Sequence, residues 1–201
     1  MRIHLLEAAD KTPLTKSYSL DTAGQLVKSS YPLEVNRFTS TAFEVDVLTD
    51  FHEALTQSSL TYPCLLKGSL KTNLTNESRA GSTQSTDTTE WICLDVDGAT
   101  GFDSVEDFVQ RALPPELHNV SYIFQASCSA GFAPGLRGHL YMLLSAAVPA
   151  PLLKTWLRSL NLASSSSGAP TELLRSQLSL TASGLALRYA LDITTCQNDK
   201  L

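Results

Sequence analysis

The sequence predicts an α/β (α+β) fold, a mixed or antiparallel sheet with helices on one face, and three observations point there. After residue 90, apolar runs alternate with amphipathic stretches in the order β, α, β, β, α, α, β. The glycine-rich "CSAGFAPGLRG" separates the second and third of these strands, as suits an antiparallel pair, whereas the βα steps imply parallel neighbours. Of the 201 residues, 43% are hydrophobic and 17% charged, which fits one large domain or two small modules sharing a core.

Residues 2–8 and 17–27 read as short strands separated by the polar turn "DKTPLT". "STAFEVDVLTDFHEALTQSSL" predicts an amphipathic helix over 43–59, because Phe43, Val47, Phe51 and Leu55 recur at spacings of four. "YPCLLKG" reads as a brief buried strand ending in a turn at Gly68. Residues 69–90 are almost wholly polar, and a loop of that length in a compact domain is usually functional or mobile. "EWICLDVDG" is a strand, and "SVEDFVQRALPPEL" a helix with Ser104 as N-cap and Glu106 and Asp107 in its first turn. "NVSYIFQAS" and "HLYMLLS" are strands flanking the glycine-rich connection. "APLLKTWLRSL" then predicts a helix, "SSSSG" a break, "PTELLRSQL" a short helix and "LALRYALDIT" a last strand.

The formal charge of −5 argues against a surface coated in positive potential, the usual footprint of strong non-specific DNA binding, but leaves room for a basic groove. Cys64, Cys93, Cys128 and Cys196 form no CxxC pair, so they read as reduced thiols of a cytoplasmic protein, in the host cell if the chain is viral. No stretch reaches the roughly 18 apolar residues of a membrane span. The C-terminal "TTCQNDKL" follows a strand-like segment without tapering, as expected of a fragment of a longer protein.

The chemistry concentrates in "WICLDVDGAT". Residues i and i+2 of a strand share a face, so Asp95 and Asp97 project together while Val96 turns to the core. Two carboxylates so placed repel each other unless cations neutralise them, and Mg²⁺ or Mn²⁺ are the hard ions that prefer such oxygens. The alternative is that Asp97-Gly98 simply opens a turn. Two further positions bear on the choice. His139 stands at the mouth of an apolar strand, either as a site residue or as a satisfied core histidine. Asp192 sits in "LRYALDIT", where an unpaired carboxylate would be costly; it is either a third metal ligand or the partner of a residue such as Arg188.

The order DxD, histidine, single Asp resembles the archaeo-eukaryotic primase superfamily, and in particular the primase–polymerases of phages and plasmids. "ICLDVD" matches the family's apolar-Asp-x-Asp, "RGH" loosely its small-x-His, and "YALD" its apolar-Asp; Arg137 stands where a small residue is expected. The upstream "KGSLKTNLTNESRAGST" also looks like this branch. The resemblance implies a two-module fold: an N-terminal αβ module over residues 1–88, and over 89–195 a metal-binding module with an RRM-like sheet, leaving 196–201 as a tail. It further implies that Asp95, Asp97 and Asp192 hold two Mg²⁺ or Mn²⁺, while His139 contacts the incoming triphosphate. Lys67, Arg79, Gly81, Ser127 and Arg137 are candidate phosphate contacts, since arginine forks onto phosphate oxygens and glycine lets backbone N–H groups approach; Lys67, Lys71 and Arg79 also read as ordinary solvated charges, and Ser129 as a strand end. Expected partners are NTPs or dNTPs, single-stranded DNA template and primer, and a helicase or accessory domain in the longer protein.

"LDVDGAT" also resembles the first motif of haloacid-dehalogenase-type phosphatases. Those enzymes need a later lysine and a later acidic pair, whereas beyond Glu116 the acids are only Glu172, Asp192 and Asp199, and the lysines Lys154 and Lys200. A DxD glycosyltransferase would leave His139 and Asp192 without jobs. An inactive nucleic-acid-binding domain is weakened by the acidic net charge.

Overall fold

The computed structural model describes residues 1–30, 35–58, 62–84, 88–166, 177–181, 184–188 and 191–196. The architecture is α+β, divided into two compact units, Met1–Glu90 and Trp91–Cys196. The first contains β1 (Arg2–Ala8), β2 (Ser17–Leu20), β3 (Leu26–Ser29), β4 (Phe38–Glu44), α1 (Leu48–Ser58) and β5 (Cys64–Leu66). The second is built on β6 (Thr88–Ala99), α2 (Val105–Ala112), β7 (Ile123–Ala126), β8 (Leu136–Pro149), α3 (Ala150–Ser166), β9 (Gln177–Thr181) and β10 (Gly184–Arg188). Among the described residues no helix is long and apolar enough to cross a membrane, and no disulfide joins any of the four cysteines.

In the first unit β1 lies between β4 and β5, antiparallel to both. One row of β1, Leu6 and Ala8, joins Leu14, Phe38, Leu66, Leu70 and Leu74 in a core. Of the helix expected over 43–59, Leu48–Ser58 is helical, whereas Phe43 and Glu44 close strand β4. Phe38–Glu44 pairs along its whole length with β1, Phe43 opposite Ile3, because Thr39, Thr41 and Phe43 alternate as a half-buried strand requires. The helix begins only at Leu48, where the Asp50 carboxylate reaches back to accept the N–H groups of Asp46 (2.9 Å) and Val47 (3.1 Å), the acidic half of a capping box.

Residues 17–27, expected as a single strand, fold into the β2–β3 hairpin. Asp21 Oδ1 accepts from Ala23 and Gln25 N–H (2.9 and 2.8 Å), and Gly24 takes the positive φ of +75° that the turn needs. The polar stretch after Gly68 is also more ordered than its composition implies. Leu70 bridges Thr83, Lys71 N–H donates to Ser82 (2.8 Å), Gln84 N–H donates to Ser69 (3.0 Å), and Leu70 and Leu74 are buried. Two leucines among many hydroxyls are enough to fasten it down.

In the second unit the sheet order is β6-β8-β7, with β7 and β8 antiparallel. Leu191 adds an antiparallel bridge to Val96, on β6. Ile92, Leu94, Val96, Leu140 and Met142 from the sheet meet Phe108 and Val109 of α2 and Leu153 and Leu157 of α3 in one core. Ser104 caps α2 as its sequence suggests, accepting from Asp107 N–H at 3.1 Å, and Leu113 ends the helix ahead of Pro114 and Pro115.

Three expectations near the C-terminus change. The helix after β8 runs on to Ser166, through the serines expected to break it. Of the helix expected over 170–178, residues 170–176 lie outside the described residues, while Gln177 and Leu178 open β9, which pairs with β10. Of the strand expected over 185–194, Leu185–Arg188 belong to β10 and 189–190 lie outside the described residues; beyond Leu191 the chain turns into a 3₁₀ turn, Ile193–Cys196, with Thr195 N–H (3.4 Å) and Oγ1 (2.8 Å) donating to Asp192 O.

His4, on β1, is 2% exposed and its Nδ1 has no hydrogen-bond partner. Burial, aided by Arg2 and opposed by Glu44, holds its pKa below the ordinary value. The unfolded chain therefore takes up a proton as pH falls through about 6.5 while the folded chain resists it, and stability drains away below that pH. Urea midpoints should fall between about pH 7 and 5, and His4→Met should flatten that part of the profile.

Candidate functional site

β6 has two unlike faces. Ile92, Leu94 and Val96 point into the core, and the alternation sends Asp95 and Asp97 to the other side. On neighbouring β8, Leu136, Leu140 and Met142 face the same core, so Arg137, His139 and Tyr141 share the face of the aspartates. The Trp91, Cys93 and Tyr141 end of this face is buried; Asp95 and His139 are about one-third exposed and Asp97 more than half.

The acidic and basic side chains meet in two pairs. His139 Nε2 lies 3.6 Å from Asp95 Oδ1. Arg137 Nη1 donates to Asp97 Oδ1. The His139 ring packs 6.1 Å from that of Tyr141, whose hydroxyl donates to Gln125 Oε1 at 3.0 Å. Gln125 is the register partner of His139 across the β7–β8 hairpin. Gly138, the middle residue of "RGH", allows that hairpin to close: a Cβ there would stand 2.5 Å from Gln125 O and 2.6 Å from the Phe124 ring.

Gly98 does not end the strand, which continues to Ala99, but it adopts φ +88°. A Cβ there would lie 2.7 Å from Arg137 Nη2. The turn before β8 presses on the same strand end, since a Cβ on Gly135 would meet Ala99 O at 2.8 Å. Arg137 Nε donates to Pro134 O at 3.1 Å within this turn. The guanidinium is thus walled in on two sides and aimed at Asp97.

Asp192 is half-buried and follows Leu191, which bridges Val96 on β6. Leu191 is gripped from α3 by Asn161, which is fully buried. Asn161 Oδ1 accepts Leu191 N–H (2.9 Å), and its Nδ2 donates to Leu191 O (3.2 Å) and Leu157 O (2.8 Å). One amide thereby supplies the hydrogen bonds that a further strand would have offered, which is why the chain bearing Asp192 needs no long strand of its own. Among the described residues no three His, Cys, Asp or Glu side chains converge as a metal cage. What is assembled is a donor set of carboxylates on one exposed face, with Asp97 turned to a guanidinium.

The remaining predicted positions are dispersed. Ser127 follows β7, and its N–H donates to Arg137 O at 3.1 Å; its hydroxyl lies 3.0 Å from that of Ser129. Lys67, Arg79 and Gly81 belong to the first unit. There Lys71 Nζ donates to Gly81 O at 2.8 Å, and Gly81 serves a turn at φ +72°. Burial pushes the Cys64 thiol up to about 11, although the charges of Arg79 and Lys67 act against it. Sequence reasoning did not single out Tyr141, Gln125 or Asn161. The last had a signal: Leu153, Leu157 and Asn161 are spaced by four, which puts an amide in an apolar row.

No family model, curated protein or solved structure matches this chain. Replacing Asn161 by leucine, of similar shape but without the amide, leaves the N–H and C=O of Leu191 buried and unmet. It should lower the free energy of unfolding by about 2–4 kcal/mol, measured by urea titration.

Proposed function

We propose that the chain is the catalytic domain of a template-dependent nucleotidyltransferase, a DNA primase, a DNA polymerase or both, of the archaeo-eukaryotic primase type, serving phage or plasmid DNA replication. The observation that carries this reading is the placement of Asp95 and Asp97 on one open face of β6, across from His139 on β8. Support also comes from the topology. The run β6, α2, β7, β8, α3 and the Leu191 bridge, with Leu191 beside β6 and then β8 and β7, follows the split βαβ order expected of an RRM-like module.

The donor set suits hard divalent ions. Asp95, Asp97 and Asp192 offer only oxygen, they are at least partly exposed, and nothing soft competes on the open end of that face. These three would hold two Mg²⁺ or Mn²⁺. When bound, such ions supply positive charge to the phosphates of an incoming NTP or dNTP and to the attacking 3′-hydroxyl.

The chain's own side chains do the rest. His139, oriented by the Tyr141 ring and by Asp95, presents an imidazole N–H donor to the triphosphate. Arg137 offers a planar fork matched to phosphate oxygens, and Ser127 a hydroxyl near the same turn. Single-stranded template and primer lie along the site in this reading, with a helicase or accessory domain as a further partner.

The test is incorporation of labelled NTPs and dNTPs on a single-stranded template, with and without primer, in Mg²⁺ and in Mn²⁺. Asp95→Asn and Asp97→Asn should each cut incorporation at least 100-fold, on the order of the loss expected when a transition-state charge contact goes, with circular dichroism unchanged. His139→Ala should raise the KM for nucleotide and lower kcat. Incorporation that persists in EDTA removes the metals from the reading. Phosphate release from a small phosphomonoester by the wild type, lost in Asp95→Asn, would replace it with a phosphatase.

A further inference from the structure

Arg137 stands where the resemblance expects a small residue, and its surroundings show what it does there. The guanidinium is held by Pro134 O through Nε, lies against the bare α-carbon of Gly98 and donates to Asp97. It is only about one-fifth exposed, whereas the carboxylate that it meets is more than half exposed. This is a built seat, unlike the mobile pairs of long side chains common on protein surfaces. Arginine stays charged at every accessible pH, so the cation of the pair is always present.

We propose that Arg137 is the resident counter-cation of Asp97, which a divalent ion must displace to enter the site. The inference rests on the metal reading above and adds a regulation to it. A guanidinium and a divalent ion repel each other at contact distance and compete for the same carboxylate oxygens. Entry of the metal therefore frees the fork of Arg137. Once free, the fork lies at the edge of the face where the triphosphate would sit, and it gains an anionic partner there. Metal binding and exposure of a phosphate-binding arginine become one event, and by linkage each favours the other. Without metal, the pair keeps Asp97 neutralised, so Asp95 and Asp97 do not repel each other across the open face. The glycine at 98 is what lets one arginine serve both states.

The experiment measures Mn²⁺ binding alone, without nucleotide, by electron paramagnetic resonance at low ionic strength, on the full chain. Arg137→Gln should bind Mn²⁺ on the order of fivefold more tightly than the wild type, the equivalent of one modest ion pair removed from competition. Asp97→Asn should bind more weakly than the wild type, and the double variant should match Asp97→Asn, because with no carboxylate left to contest the arginine loses its effect. Should Arg137→Gln unfold, Arg137→Met takes its place: it keeps an apolar stem in the seat and removes the charge, so it too should bind Mn²⁺ more tightly. Equal or weaker binding by the Arg137 variants, with binding still dependent on Asp97, overturns the displacement and leaves the metal site standing. Absence of Mn²⁺ binding from the wild type and from every variant removes the metal site itself, and the displacement falls with it.

Discussion

Ile92, Leu94 and Val96 are each almost fully buried against the two helices of the second unit, and every such side chain is worth about 1.5–3 kcal/mol in removal from water. A slip of one residue in β6 would turn all three outward and drive Asp95 and Asp97 into the apolar core. The burial of two unpaired carboxylates costs several kcal/mol more. The register of this one strand is therefore fixed from both sides, by what wants to be buried and by what cannot be. The positions of the aspartates are a by-product of core packing, and so is their exposure. The same alternation on β8, with Leu136, Leu140 and Met142 inward, sends Arg137 and His139 to meet them.

The third aspartate is held by different means. Leu191 is buried and bridges Val96, so the backbone next to Asp192 is anchored at the point between the two other aspartates. The anchor is an amide on α3 that satisfies both polar groups of Leu191. A side-chain amide is rigid, short and buried, and it fixes one peptide without extending a ladder. The chain is then free to turn at once into the Ile193–Cys196 turn. The placement of Asp192 depends on a helix thirty residues upstream in the chain.

That dependence explains what the sequence could and could not reveal. The two-residue period of "ICLDVD" gives the shared face of Asp95 and Asp97 directly, and Ser104 with Glu106 and Asp107 marks the start of α2 by local chemistry. "LALRYALDIT" reads as a strand on composition alone, yet at Leu191 the backbone hydrogen bonds go to Asn161, and nothing within the segment announces this. Phe43 fits a helical spacing with Val47 and Phe51 and, at the same time, a strand alternation with Thr39 and Thr41. The decision falls to Asp50, which caps a helix starting at Leu48, and to β1, which recruits Phe38–Glu44. In the polar stretch after Gly68, Leu70 and Leu74 are too few to show a period, although they suffice to anchor it. Local patterns carry through where one element satisfies its own needs, and fail where the partner is distant.

Arg137 is the sharpest instance, because the motif it interrupts would have argued for a small side chain. Its partner lies forty residues away, and the pairing requires three glycines: Gly98 beneath the guanidinium, Gly135 in the turn and Gly138 closing the hairpin. Each fits a need set by another element, and none is informative alone. The pairing also answers an electrostatic problem the aspartates create. Two carboxylates two residues apart on one strand face repel each other, and a chain with a formal charge of −5 has little diffuse positive potential to relieve them. A fixed local cation relieves them more economically than a basic surface would.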